Sequence, residues 1–493
     1  MTEPTIPSEL RGHEQPGVRL GALGSSLDQG FVDRLRQTGA AVSLEARELT
    51  DHGRDWWPLS IGWATRDLVG ALPGAVVTPS STAQVAAILR LANEASVPVT
   101  PAGGRSGVSG GAIPLEGGLS LDLTGLDAIV AVDETSLTVT VGAGAFGPEL
   151  EAALRSTGDG YTLGHWPQSF KLSTVGGWLA CRGAGQLSTR YGKIEDMVRS
   201  LKVVLADGTE LVTASSGPRA AVGPDLNQLF LGSEGTLGVI TEATLVIHPA
   251  PSYERRAAWG FTSFDDGMEV CRRTLRRGAT PAVLRLYDTA EAQRNFGITT
   301  NLLLAFDEAD PALVDACFAI LDDEAALGEP LDPSLVETWF EHRNDVSQLV
   351  PLWEAGIVVD TIEMAASWSA LRSARLEVLE ALASVEGTLV ASVHQSHSYL
   401  DGACLYFTFA GQPASSLAAQ EAYYRTCWDR ATAAILSAGG ALSHHHGIGL
   451  NRGRFMADAL GEGLGVLARL KRALDPRGIL NPGKLGLGEG DVW

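Results

Sequence analysis

Apolar and polar positions change their spacing twice between Ala75 and Pro101. AVVT is a short apolar run, TAQVAAILRLANEA sets Val85, Ile88, Leu89 and Ala92 on one helical face behind a Ser/Thr start, and VPVT is apolar again. A 3.6-residue period between two β-like runs predicts a β-α-β unit that delivers the chain into a glycine-rich loop. Further on, LSLDL, TVTV, LKVVL and GVITEATLVIHP read as strands, and Asp207-Gly208 reads as a hairpin turn. Residues 254–435 alternate strands such as VLRLYD and ACLYFTF with helices such as SALRSARLEVLEALASV. The whole pattern predicts an α+β protein in four parts: a helical extension (1–70), a first domain (71–250), a second (251–435) and a loop-like segment (436–493) that packs back on the first. PAPSY at 249–253 marks the central boundary, because closely spaced prolines neither extend a helix nor donate to a ladder.

Composition narrows the function. With 493 residues, 45% hydrophobic and 19% charged, the chain folds around a sizeable core. A net charge of -21 argues against a nucleic-acid partner, whose affinity rests on clustered Lys and Arg. The opening MTEPTIPSEL has no basic, apolar leader, the ending GEGDVW carries no lipidation or retention signal, and no run approaches about 18 apolar residues, so a cytoplasmic protein without a membrane segment is expected. Five scattered cysteines without a C-x-x-C pair suggest neither disulfides nor a cysteine metal site.

Glycines carry the chemistry. PAGGRSGVSGG (101–111) follows an apolar strand, and its stacked glycines let backbone N–H groups close around an anion, with Arg105 and two serines beside them. The same loop fits G-x-S-x-G at Gly107 to Gly111, but Ile113-Pro114 and Gly117-Gly118 follow at once, leaving no helix to present a nucleophilic serine. Gly142 to Gly147 fits G-x-G-x-x-G between a strand and a helix. A dinucleotide fold then needs a second strand ending in Asp or Glu, where this chain has YTLGHWPQS, so close helix–strand packing is the reading left.

Taken in order, PAGGRSGVSGG, GHWPQSFKLSTVGGW, YGKIEDMV and GSEGTLGVITEATL resemble the FAD-binding domain of the vanillyl-alcohol-oxidase-like (PCMH-type) flavoproteins. RLYD (285–288), SHSYLDGACLYF (396–407) and SHHHGIG (443–449) are similar, within that superfamily, to alkyldihydroxyacetonephosphate synthases and their bacterial relatives. The resemblance implies a two-subdomain FAD-binding domain, an inserted α/β cap for substrate, and a C-terminal segment that returns to complete the active site. It implies FAD with Pro101, Ala102, Gly103, Gly104, Arg105, Ser106, Gly107, Val108 and Ser109 around the pyrophosphate. His165, Pro167, Gln168, Ser169, Ser173, Thr174, Gly176 and Gly177 follow along the ribityl chain and isoalloxazine, and Glu234, Gly235, Gly238 and Ile240 along the rest. Several superfamily members link flavin through a histidine near the first loop; this chain has Val108, so non-covalent FAD is expected. A homodimer is also implied.

The same resemblance brings Tyr399, His444, His445, His446 and Arg285 to the reactive edge of the flavin. If the triplet is extended, alternation turns His444 and His446 to the cavity and His445 away. Imidazoles of pKa about 6.5 move protons at neutral pH, whereas a tyrosine near about 10 needs neighbouring cations to act as a base. The reaction implied is a synthase-type C–O exchange on an acyl or alkyl ketone phosphate or a related lipid-like small molecule, reacting at flavin N5. The alternative is an FAD-dependent dehydrogenase or oxidase of a 2-hydroxy acid or other alcohol. The synthase pattern leads one to expect an arginine for the substrate phosphate where Leu349 stands, with Arg343 a nearby cation. The metal-holding pattern of related D-2-hydroxyacid dehydrogenases is incomplete around His397, with His445 in place of a glutamate, so no metal is expected.

Overall fold

The computed structural model describes residues 16–21, 27–214, 217–344 and 349–488; residues 1–15 and the final EGDVW lie outside them. Ala75–Thr78, Thr82–Ala95 and Val99–Ala102 form the β-α-β unit. Ser81 caps the helix by accepting from the Gln84 N–H, and its buried stripe is Val85, Ala86, Ile88, Leu89 and Ala92. The two strands flank Leu119–Asp122, parallel to it on either side, and Ala41–Ser43 joins antiparallel at the edge. That last pairing places a strand within the stretch 1–70 that the sequence reads as a helical extension. Phe31 and Leu35 enter the core of this sheet, while Trp57, Leu59 and Ile61 enter that of the second half. From the other end of the chain Leu480 bridges Val99, so the C-terminal segment also closes on this sheet.

A second, five-stranded antiparallel sheet follows the order Glu210–Val212, Val198–Val204, Val239–Val246, Thr138–Gly142, Ile129–Asp133. Its antiparallel pairings separate Gly142-x-Gly-x-x-Gly147 from a dinucleotide fold. A Cβ on Gly142 would stand 2.0 Å from the Leu126 carbonyl oxygen, and one on Gly144 2.1 Å from that of Leu123, so these glycines serve close packing.

A third large sheet has seven antiparallel strands, with Thr388–Ser398, Gly402–Gly411 and Val358–Ser367 adjacent at one edge. Helix Leu417–Ser437 lies on it through Tyr424, Trp428, Ala431 and Ile435, spaced for one helical face. Alternation then decides which side chains meet the other half of the molecule. On Val358–Ser367, Ile362 and Met364 are buried in the core, while Thr361 and Glu363 turn the other way, toward the triplet. On Gly402–Gly411, Leu405, Phe407 and Phe409 are core and Tyr406 is not. Among the described residues no helix is long and apolar enough to cross a membrane.

Candidate active site

Where the glycine loops of the first half face the seven-stranded sheet, they enclose a cavity of about 450 Å³. Its walls are the loop 101–109, the segment 167–177 and residues 234–240, closed from the other side by Asn344, Leu349, Val359, Asp360, Thr361, Tyr406, His445 and His446. The first two segments touch directly: a Cβ on Gly104 would fall 1.8 Å from the Leu172 carbonyl oxygen. The N–H groups of Gly104 to Gly107 find no acceptor among the described residues, which is the arrangement a phosphate requires. Beneath this loop Asp55 Oδ1 accepts from the Trp57 N–H at 3.1 Å, and burial pushes its carboxyl up to about 7. Arg105, at φ +51, donates to His52 Nε2 at 2.9 Å. Burial, helped by Arg105, lowers His52 to about 3 and leaves it a neutral acceptor.

Every cofactor residue expected from the sequence lines this cavity except His165. That imidazole is fully buried, 4.7 Å from the Trp178 ring, with both nitrogens unpartnered among the described residues. It is packed behind the wall. The wall itself is long, glycine-rich and supplied with free N–H donors, and so fits a dinucleotide.

The histidine triplet departs from expectation. It is not a strand, and alternation therefore does not apply. His445 and His446 line the cavity, and His444 does not. Its shape is set by two buried carboxylates on opposite sides. Glu363 accepts from the His444 N–H, from the His446 N–H at 2.9 Å, from Ser443 Oγ at 2.8 Å and from Arg452 Nη1 at 2.8 Å. Glu234, itself at φ +48, accepts from the Ile448 N–H at 2.6 Å and the Gly449 N–H at 2.9 Å. Burial opposes the charge on Glu363, but Arg452 and the three imidazoles hold its carboxyl well below the usual range. The imidazoles are pushed the other way by burial, His444 and His445 to about 3 and His446 to about 4. All three rest neutral.

Tyr399 and Arg285 do not reach the cavity either. Tyr399 Oη lies 3.0 Å from His444 Nε2 and 3.0 Å from Ser188 Oγ, and burial raises its pKa far above the ordinary value. Arg285 donates to Tyr287 Oη and pairs with His394, each at 2.6 Å, and His394 in turn holds Glu291 at 2.7 Å. The tyrosine that does face the cavity is Tyr406. It stacks on His394 at 4.9 Å, bonds Thr361 Oγ1 at 3.0 Å and approaches His446 Nε2 at 3.4 Å. Sequence reasoning missed Tyr406 and Glu363. The signals were a tyrosine out of phase with Leu405, Phe407 and Phe409, and a carboxylate set between Ile362 and Met364 in a largely apolar strand.

Leu349 lines the cavity where a phosphate-binding arginine was looked for. Arg343 stacks on Phe340 at 4.6 Å, beside the cavity-lining Asn344, and its Nη1 has no partner among the described residues. His397, Cys404, His444 and His445 offer ligand atoms within 4.8 Å of one another, so these four could hold a metal ion. As they stand, His444 Nδ1 and His445 Nδ1 are 2.9 Å apart, the distance of a shared proton.

Comparison with known proteins gives this geometry a context. Residues 73–214 match the FAD binding domain, and residues 250–485 match the C-terminal domain of FAD linked oxidases. The chain is 30% identical to an alkyldihydroxyacetonephosphate synthase of Dictyostelium discoideum, covering 86% of this chain and 76% of that one. It is 31% identical to an FAD-linked oxidoreductase of Escherichia coli O157:H7, covering 84% and 89%. Among solved structures, p-cresol methylhydroxylase with substrate bound superposes with a TM-score of 0.76 at 17% identity, over 94% of this chain and 99% of that one, a likeness of fold.

Proposed function

Because the chain belongs to the FAD-linked oxidase family, an enzyme family that includes alkyldihydroxyacetonephosphate synthases and FAD-linked oxidoreductases, we propose that it carries out synthase-type C–O exchange on an acyl or alkyl ketone phosphate or a related substrate. The three glycine segments would hold FAD non-covalently, and FAD when bound would supply an electrophilic N5. The rest falls to the chain's own residues. The observation that carries the reading is the pair of neutral imidazoles, His445 and His446, facing the cavity with the Glu363 carboxylate behind them. A neutral imidazole accepts a proton from the substrate carbon, and the buried carboxylate stabilises the imidazolium that results. Tyr406, whose phenol burial keeps protonated, donates a hydrogen bond to the substrate oxygen. Arg343, whose Nη1 has no partner among the described residues, is the cation for a substrate phosphate. The glycine-walled cavity between the two halves limits water around the exchange.

A second reading, oxidation of a 2-hydroxy acid or other alcohol, draws support from Leu349, an aliphatic side chain at the position where the synthase pattern has a cation. One experiment separates the two. FAD-loaded enzyme is mixed anaerobically with acyl dihydroxyacetone phosphate or with a panel of hydroxy acids and alcohols while the flavin spectrum is followed. Bleaching by the ketone phosphate, with fatty acid released and no electrons passed to an added acceptor, is expected. Bleaching by an alcohol alone, with electrons recoverable by the acceptor, overturns the synthase reading in favour of the second.

A further inference from the structure

The cavity changes character along the strand Val358–Ser367. Alternate residues of that strand face the other half of the molecule: Glu363 holds the triplet, Thr361 bonds Tyr406, and Val359 comes next. At the rise of an extended chain Val359 lies about 7 Å beyond Thr361 and about 13 Å beyond Glu363. There the wall turns apolar. Pro58 and Leu349 line it with Val359, and the elements that carry them, Pro58–Ala64, Leu349–Glu354 and the strand itself, pack on one another pairwise. Asn344 is the polar neighbour, while Asp360 gives its carboxylate to Tyr424 and Trp428 in the core. Trp56 completes this end: its half-buried indole lines the cavity and packs against the same apolar cluster as Leu349. The chain around it is tied to both halves. Trp56 donates its N–H to the Gly107 carbonyl at 2.9 Å, on the glycine loop, and the indole of the next residue, Trp57, donates to Tyr424 Oη at 2.8 Å inside the second half. Pro58 then starts a helix with its φ already fixed.

We propose that Trp56 is a specificity-determining residue: it closes the apolar end of the cavity and sets the length of the hydrocarbon group that a substrate carries away from its reacting carbon. The inference rests on the reading of His446 and Tyr406 as the reacting end, and it holds for either of the two reactions. A short aliphatic group fills the space between Thr361 and the indole, against Val359, Leu349 and Pro58. A longer one meets the ring, which its tethers on both sides keep from swinging away.

Binding of unreactive carboxylates tests this without turnover. Acetate, hexanoate and dodecanoate are titrated into FAD-loaded enzyme while the flavin spectrum is followed. Each buried methylene is worth roughly fourfold in affinity, so the wild type is expected to bind hexanoate roughly tenfold or more tightly than acetate, but dodecanoate no more tightly than hexanoate. In Trp56→Ala the plateau should disappear, dodecanoate gaining roughly tenfold or more over hexanoate while acetate is unchanged. Leu349→Asn, which makes the same wall polar, should erase the advantage of hexanoate over acetate. Trp56→Phe, with a smaller ring on the same backbone, should fall between the wild type and Trp56→Ala, and it carries the test if the alanine variant does not retain FAD. A wild-type affinity that keeps rising to dodecanoate, an affinity indifferent to chain length, or Trp56 variants with the wild-type profile would each overturn the proposal. A silent substrate panel would leave these titrations intact, so the two readings fail separately.

Discussion

At the scale of single residues, function here depends on where charge is buried. Glu363 is surrounded by Ile362 and Met364 in sequence, and nothing in that stretch announces that its two oxygens collect two backbone N–H groups, a serine hydroxyl and a guanidinium. Charge-assisted bonds of this kind are worth about 1.5–3 kcal/mol each, and a neutral amide loses the charge while keeping the shape. Glu363→Gln is therefore expected to retain FAD and fold, while substrate-driven bleaching falls by roughly 10²-fold as the triplet loosens and the imidazolium loses its counter-charge. Stopped-flow bleaching alongside a flavin-binding titration would check this; unchanged bleaching would remove Glu363 from the mechanism. The triplet itself was legible as chemistry, because three adjacent histidines before Gly447 and Gly449 have little structural purpose. Which imidazoles meet the cavity was not legible, since that depends on a carboxylate eighty residues upstream.

At the scale of elements, the decisive pieces are turns and loops whose geometry only glycine permits. Gly449 has φ +53, and a Cβ there would lie 2.1 Å from the Ser109 carbonyl oxygen, at the point where the triplet loop crosses the first glycine loop. Gly449→Ala is expected to cost about 1–3 kcal/mol through strain and overpacking, to lower the thermal midpoint and to weaken FAD retention during gel filtration. An unchanged midpoint and retained flavin would mean that the two loops are not held against one another. The elements themselves follow the sequence well. The helix Thr82–Ala95, its flanking strands and the Asp207-Gly208 hairpin all stand where period and turn chemistry put them. Partnership is another matter. Ala41–Ser43 reads as part of a helical extension, yet it pairs with Val76 to Thr78 because an open sheet edge is available there.

For the molecule as a whole, the two halves meet over a cavity crowded with neutral imidazoles, and this sets the response to acid. Burial lowers His52, His165, His444 and His445 to about 3 and His446 to about 4, whereas an unfolded chain holds them near about 6.5. Folded values below unfolded ones mean that the unfolded chain binds more protons, so this stability is complete above about 6.5 and is lost as pH falls toward 3. Asp55 and Asp360, raised by burial to about 7 and about 6, have the opposite sign, contributing stability that disappears as pH rises through those values. Five imidazoles against two carboxyls predict a thermal midpoint that drops steadily from pH 6.5 to 4; a flat profile in calorimetry would show that the imidazoles are solvated. The sequence by itself determined the α+β class and singled out the glycine segments and the histidine triplet that come to line the cavity, because glycine spacing, hydrophobic period and turn residues are local properties carried by neighbours in the chain. Only the tertiary structure decided that Tyr406 rather than Tyr399 meets the cavity, that His444 stands behind His445, and that Glu234 and Glu363 clamp the loop between the halves. Those outcomes depend on which strands align and which carboxylate finds which N–H, distances fixed by packing between segments from forty to more than two hundred residues apart.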